Sequence, residues 1–183
     1  PSELKRLTRA RVDDLARACA GDVFDRVHVF RLYMTPFIQP LLDRRSVGTL
    51  QLDLDDIESV TRHRLSERYR LNGDRRMAEV ARLDAVEYER LERRVLPLFD
   101  RIFVCSDVDK AKLRDMYACH SIEVFPNAVR VEAGRAWKRS RDRFICLFVG
   151  SLGYYPNQDA VRFFCAEVLP IVRRRTASRV EVV

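Results

Sequence analysis

The chain has 183 residues, 47% of them hydrophobic and 33% charged, with a net charge of +7. That apolar share fills a real core, which excludes a wholly disordered tail, and the longest apolar run, Phe144 to Val149, is far below the ~20 residues of a membrane-spanning helix. No signal-peptide pattern opens the chain, and five cysteines without a CxxC pair indicate neither a zinc site nor a disulfide framework, the usage expected of a reducing cytoplasm.

In chain order, Leu4, Leu7, Arg11, Leu15 and Cys19 recur at helical spacing and predict an amphipathic helix ended by Gly21-Asp22. Residues 24–32 read as a buried strand, 33–36 as a loop and 37–42 as a short helical piece. Residues 47–54 form a second strand that closes in the acidic run Asp53-Leu54-Asp55-Asp56. Helices are predicted over about 57–70 and 75–98, split by the turn signal Asn72-Gly73-Asp74. A strand over 101–105 follows, then Ser106 as the cap of a helix beginning near Val108, with Asp109 adding negative charge to its first turn. Ile122 to Phe125 is a further strand. Residues 130–143 have much charge and little periodicity and read as a linker. Beyond it come a strand over 144–149, a glycine-containing loop over 150–156, a helix over 157–174 with Val161, Phe164, Cys165, Val168 and Leu169 on one face, and a final strand at the chain end.

Strand alternating with helix predicts an α/β fold of parallel sheets with helices on both faces, and in such folds ligands bind outside the carboxyl ends of the strands. The chain starts at a residue other than Met and stops within a strand-like run, as a piece of a longer protein would.

Several residue groups at those strand ends are candidates for chemistry. Gly150-Ser151-Leu152-Gly153-Tyr154-Tyr155-Pro156-Asn157 leaves a strand and opens a helix, a place where backbone N–H groups and the helix dipole favour a phosphate. It carries neither the three-glycine dinucleotide fingerprint nor a P-loop lysine. Asp53, Asp55 and Asp56 could hold a divalent cation or a substrate hydroxyl, or Asp55 or Asp56 could simply cap the helix that follows. His28, between two valines, reads more readily as a packed core residue than as a base, and Ser106 has no hydrolase context. The arginines are mostly interleaved with acids, as on a solvated helix face. Arg139/Arg141/Arg143 and Arg173-Arg174-Arg175 stand out as denser clusters suited to a lipid surface or acidic ligand.

Four stretches occur in a telling order: Asp53-x-Asp55-Asp56-x-Glu58-Ser59, then Phe99-Asp100-Arg101-Ile102-Phe103-Val104-Cys105-Ser106 with Asp109, then Phe125-Pro126-Asn127-Ala128-Val129, then Phe148-Val149-Gly150-Ser151-Leu152 with Tyr155-Pro156-Asn157. Together they resemble the retaining glycosyltransferases of the GT-B type (glycosyl transferase group 1, family 4-like), built of two Rossmann-like domains, and in particular the sugar transferases of bacterial exopolysaccharide synthesis. The resemblance spans nearly all of residues 22–183. It implies that residues 1–130 are the later part of an N-terminal acceptor-binding domain, 131–143 an interdomain linker, and 144–183 the start of a C-terminal donor-binding domain.

The implied activity is transfer of a sugar from a nucleoside-diphosphate sugar to a glycan or lipid-linked acceptor in the cytoplasm, with peripheral membrane contact and without nucleic acid, metal or cofactor. Gly150, Ser151, Gly153 and Asn157 would face the donor diphosphate. Asp53, Asp55, Asp56, Ser106 and Asn127 would lie on the acceptor side, and His28, Arg31 and Asp55 are the candidates nearest the reaction. Four positions depart from the family pattern: Ser151 and Asn157 replace an arginine and a lysine on the diphosphate, Phe30 replaces the second histidine of a His-x-His pair, and Ala128 replaces a glycine. Glu79 and Glu87 match the spacing of the family's Glu-x(7)-Glu motif but lie in a charged helix far from its place. Two other readings compete: a metal-dependent transferase using Asp53 and Asp55, and a non-catalytic Rossmann-like module that binds an anionic partner.

Overall fold

The computed structural model describes residues 9–43, 46–118, 121–130, 143–176 and 179–183. The chain divides into two compact units, Pro1–Val129 and Arg130–Val183.

In the first unit, helix α1 (Arg9–Ala18) precedes strand β1 (Phe24–Phe30), a 3-10 helix (Leu32–Ile38), α2 (Gln39–Asp43) and β2 (Val47–Asp53). Two long helices follow, α3 (Glu58–Leu71) and α4 (Arg75–Val95), then a 3-10 turn (Leu96–Leu98), β3 (Arg101–Val104), α5 (Asp107–Tyr117) and β4 (Ile122–Val124). The four strands pair in parallel in the order β1-β2-β3-β4.

The register decides which face is buried. Val29, Leu52, Ile102 and Ile122 lie in one row across the sheet, and all four are buried. They share one core cluster with Ile38, Val60, Tyr88, Leu91, Val95 and Leu113 from the connecting helical segments. The alternate row, Phe30, Asp53, Phe103 and Glu123, belongs to the other face. Strands in consecutive order joined by right-handed crossovers place every crossover on the same side. Within the described residues of this unit the apolar core cluster lies on the face of that buried row.

Further differences from the sequence reading are local. The segment expected as a loop after β1 is a 3-10 helix in which Leu32, Thr35 and Ile38, three apart, are buried together. Helix α1 is described from Arg9, and Leu4 and Leu7 lie outside the described residues. Asp74 caps α4, accepting a bond from the Met77 amide at 3.0 Å, and Gly73 supplies the left-handed turn at φ 81° before it. Ser106 caps α5 as expected, accepting from the Asp109 amide at 3.2 Å, although the helix starts at Asp107.

In the second unit, β5 (Arg143–Cys146) pairs in parallel with β6 (Arg179–Val182). Strand β5 is therefore shorter than the expected 144–149 run. Residue 143, expected in the linker, opens it, while residues 131–142 lie outside the described residues. Helix α6 (Tyr155–Phe163) begins two residues earlier than expected and passes through a π-helical stretch (Phe164–Val168) into α7 (Leu169–Arg175). The wider π turn carries Cys165, expected on the apolar face, to an exposed position, while Leu169 is buried. No helix among the described residues is long and apolar enough to cross a membrane.

Candidate functional site

Parallel pairing brings the carboxyl ends of β1 to β4 to one edge of the sheet, and the ladder continues past the strands. The Arg31 amide donates to the Asp53 carbonyl at 2.8 Å, Leu54 to Phe103 at 3.0 Å, and Phe125 to Val104 at 2.8 Å. The residues that leave the sheet at this edge are Arg31, Asp55, Cys105 and Asn127, one from each strand end.

Asp55 is their meeting point. Its carboxylate forms an ion pair with the Arg31 guanidinium, and its Oδ1 accepts from the Cys105 thiol at 3.4 Å and from the Asn127 side-chain amide at 3.4 Å. Arg31 also lies 3.9 Å from Asp56 and stacks over the Phe30 ring at 5.3 Å. The backbone is bent to achieve this. Among the described residues the positive-φ positions other than glycine are Arg31 (75°), Asp55 (57°) and Ala118 (49°), and the first two are these paired residues. Such conformations are costly for L-residues, of order 1–3 kcal/mol each, and persist where the surroundings over-determine them.

Helix α3 begins after Ile57, whose position carries no side-chain cap, so neither Asp55 nor Asp56 caps it. That corrects the capping alternative. The Asp53 side chain instead accepts from the Asp55 amide at 3.2 Å, a local turn that points the second carboxylate back toward Arg31.

The electrostatics follow from this crowding. Burial, helped by the neighbouring Asp55 charge, raises the Asp56 carboxyl above its usual range, with Arg31 opposing. The Cys105 thiol is pushed up to about 11, first by burial and then by its bond to Asp55 and the surrounding aspartates. At neutral pH it is a protonated donor to Asp55 rather than a nucleophilic thiolate. Cys105 is the first residue beyond β3, at the sheet edge where ligands bind, and that place is the signal in the sequence that it belongs to the site.

His28 lies on the face opposite the core, with its side chain 47% exposed and Nε2 3.9 Å from Asp53 Oδ2. The packed-core reading of His28 is therefore corrected. Its ring is 6.0 Å from Phe103, which in turn meets Phe125 edge-on at 6.0 Å. Ser106 belongs to the helix cap, bonded to Asp109 Oδ2 at 2.5 Å, and does not join the group around Asp55. No cluster of three or more His, Cys, Asp or Glu side chains arranged to hold a metal occurs among the described residues.

In the second unit the Gly150–Asn157 loop closes on itself. Asn157 Nδ2 donates to the Ser151 carbonyl at 3.0 Å and Gln158 Nε2 to the Leu152 carbonyl at 2.5 Å. A Cβ at Gly150 would stand 2.8 Å from Asn157 Nδ2 and 3.0 Å from the Phe148 ring, whereas at Gly153 the nearest contact is an ordinary 3.5 Å from Ser151 Oγ. The Asn157 and Gln158 amides both bond the Tyr154 carbonyl, and Pro156 brings no N–H. Fewer first-turn donors are thus left at this helix end than the sequence pattern alone promised.

Comparison with known protein families, with curated proteins and with solved structures finds no match to this chain.

Proposed function

We propose that this chain is part of a two-domain glycosyltransferase that moves a sugar from a nucleoside-diphosphate donor to a hydroxyl of a glycan or lipid-linked acceptor in bacterial polysaccharide synthesis. The observation that carries the reading is the convergence on Asp55. The motif residues Asp55, Cys105 and Asn127, from separate parts of the sequence, meet Arg31 at the carboxyl edge of a parallel sheet, with strained backbone at both members of the ion pair. That edge is where ligands bind in open α/β sheets.

In this reading the first unit holds the acceptor. The carboxylates of Asp53 and Asp55 accept hydrogen bonds from sugar hydroxyls, and the ion pair with Arg31 orients Asp55. The Cys105 thiol and the Asn127 amide hold the same carboxylate from the other side. The second unit supplies the Gly150–Asn157 turn to the donor, where the missing side chain of Gly150 leaves room for the Asn157 amide and the Phe148 ring. Stabilisation of the departing diphosphate carries most of the rate in such chemistry.

The test is release of nucleoside diphosphate from a panel of nucleotide sugars, with a crude glycolipid fraction as acceptor and the polypeptide at its full natural length. Release from one donor that resists a chelator is the expected result. Asp55→Ala should lower kcat/KM about tenfold to a hundredfold, the loss of one or two hydrogen bonds to a charged group. Chelator-sensitive release would transfer the assignment to a metal held by Asp53 and Asp55. Unchanged kcat/KM in Asp55→Ala would remove Asp55 from the site.

A further inference from the structure

The face of the first sheet opposite its core mixes rings with carboxylates. Its row nearest the carboxyl edge, read across the strands, is Phe30, Asp53, Phe103 and Glu123. The row two residues back holds His28, Gln51 and Arg101. Phe125 stands two residues beyond Glu123, on the same side, with its ring 6.0 Å from that of Phe103. Phe30 and Phe125 are 55% and 65% exposed. Two open rings therefore bracket Asp53 and Phe103 at the edge where Asp55 and Asn127 also emerge.

The charges limit what can lie on this surface. A helix or an acyl chain laid over it would take Asp53, His28 and the Arg101–Glu123 pair, 3.7 Å apart, out of water. Burying such groups without further partners costs more than contact with two rings returns. A polyanion would be repelled by Asp53, Asp55 and Glu123. A sugar suits both halves of the surface. One face of a pyranose presents C–H groups, whose slight positive charge matches the negative face of an aromatic ring, while its hydroxyls donate to carboxylates at the rim. Reach sets the length of the ligand. Strands β1 and β4 are the two outer strands of the four, three spacings or about 14 Å apart, which is more than one pyranose covers.

We propose that this face binds an oligosaccharide of two or more units laid across the strand ends, with one sugar ring on Phe30, another on Phe125, and hydroxyls bonded to Asp53 and Asp55. The inference rests on the sugar-transfer reading and narrows it: the acceptor is recognised through a run of sugar units, and neither a lipid alone nor a single sugar suffices. Phe30 and Phe125 are the residues that set this specificity.

The test is binding of the full-length polypeptide, with no donor present, to an array of mono- to tetrasaccharides, followed by titration of the best-bound glycan. Binding that requires at least two sugar units is expected. Phe30→Ala and Phe125→Ala should each weaken it about tenfold, the scale of one stacked ring, while Phe125→Trp retains it. Phe163→Ala removes an exposed ring from the second unit and should change nothing. Far-ultraviolet circular dichroism should be the same in every variant, because all three rings are exposed. Monosaccharides bound as tightly as longer glycans would overturn the proposal. So would alanine variants that bind like the wild type, or an array on which no glycan is bound. Release of nucleoside diphosphate, measured separately, tests transfer itself. Release that persists alongside any of those three results would leave sugar transfer standing and remove the stacking surface.

Discussion

Glu92 shows how one residue can join several elements. It is fully buried on α4, yet its Oε1 accepts from the Ser59 amide in the first turn of α3 at 3.1 Å, and its Oε2 accepts from the Tyr117 hydroxyl at the end of α5. It therefore does for α3 what no residue at the start of α3 does, satisfying a first-turn donor from outside the helix. Burial dominates the bonds and raises its carboxyl above the ordinary 4.5, with the Glu89 charge adding to the rise; the same burial, with Glu92 beside it, raises the Tyr117 hydroxyl.

The sign of the consequence is definite. A raised folded value means that the native state binds this proton more tightly than the unfolded chain does. Its contribution is fully present below the unfolded value and is lost as pH rises through the raised one. Glu92→Gln keeps an acceptor for Ser59 and removes the ionisation. The variant should gain stability relative to the wild type as pH rises above about 4.5, read from urea midpoints at increasing pH. A difference that stays constant with pH would show that Glu92 does not ionise at a buried cost. From sequence alone Glu92 is one more acid in an arginine-rich helix; its role depends on Ser59 and Tyr117 being carried to it by other elements.

At the scale of elements, apolar runs and turn residues located the strands and long helices well, because β1 to β4 each carry a row of Val, Leu and Ile that has one place to go. What they could not show is the spacing between neighbours. Gly48 looks like an unremarked residue early in β2, but a Cβ there would stand 2.8 Å from the Asp25 carbonyl oxygen of β1. Backbone cannot yield as a long side chain can, so β1 and β2 approach this closely only because residue 48 has no side chain. Gly48→Ala should destabilise the first unit by about 1–3 kcal/mol, in the range of overpacked sites. The midpoint of urea unfolding measures it, and a variant as stable as the wild type would mean that the strands separate freely there.

The strand-end motifs were visible as a set of aspartates and turns. Their convergence was not, because it depends on positive-φ backbone at both Asp55, a residue type that tolerates it, and Arg31, a type that does not announce it. Likewise the 3-10 helix after β1 was hidden behind Thr35 and Pro36, residues that ordinarily mark a turn. Only the buried spacing of Leu32, Thr35 and Ile38 explains it.

The two units differ in how much apolar surface they bury. The first has a continuous cluster from Val29 to Ile122, whereas the buried hydrophobic residues described in the second are Leu169 and Val180. Phe144, Ile145, Leu147, Val149 and Phe163 stand exposed on this unit, whose sheet among the described residues has two strands. Two strands and a helix with so small a core are marginal, since sheets of this size need a further layer to hold them. The amides of β5 and β6 should therefore exchange with deuterium at least about a hundredfold faster than those of β2 and β3, through local opening that leaves the first unit folded. Equal protection would mean that the apolar residues of the second unit are covered in solution. Repeating the exchange at rising protein concentration would then separate the two causes. Protection that grows with concentration places a second copy over those residues, and protection independent of it places the missing stability within the chain itself.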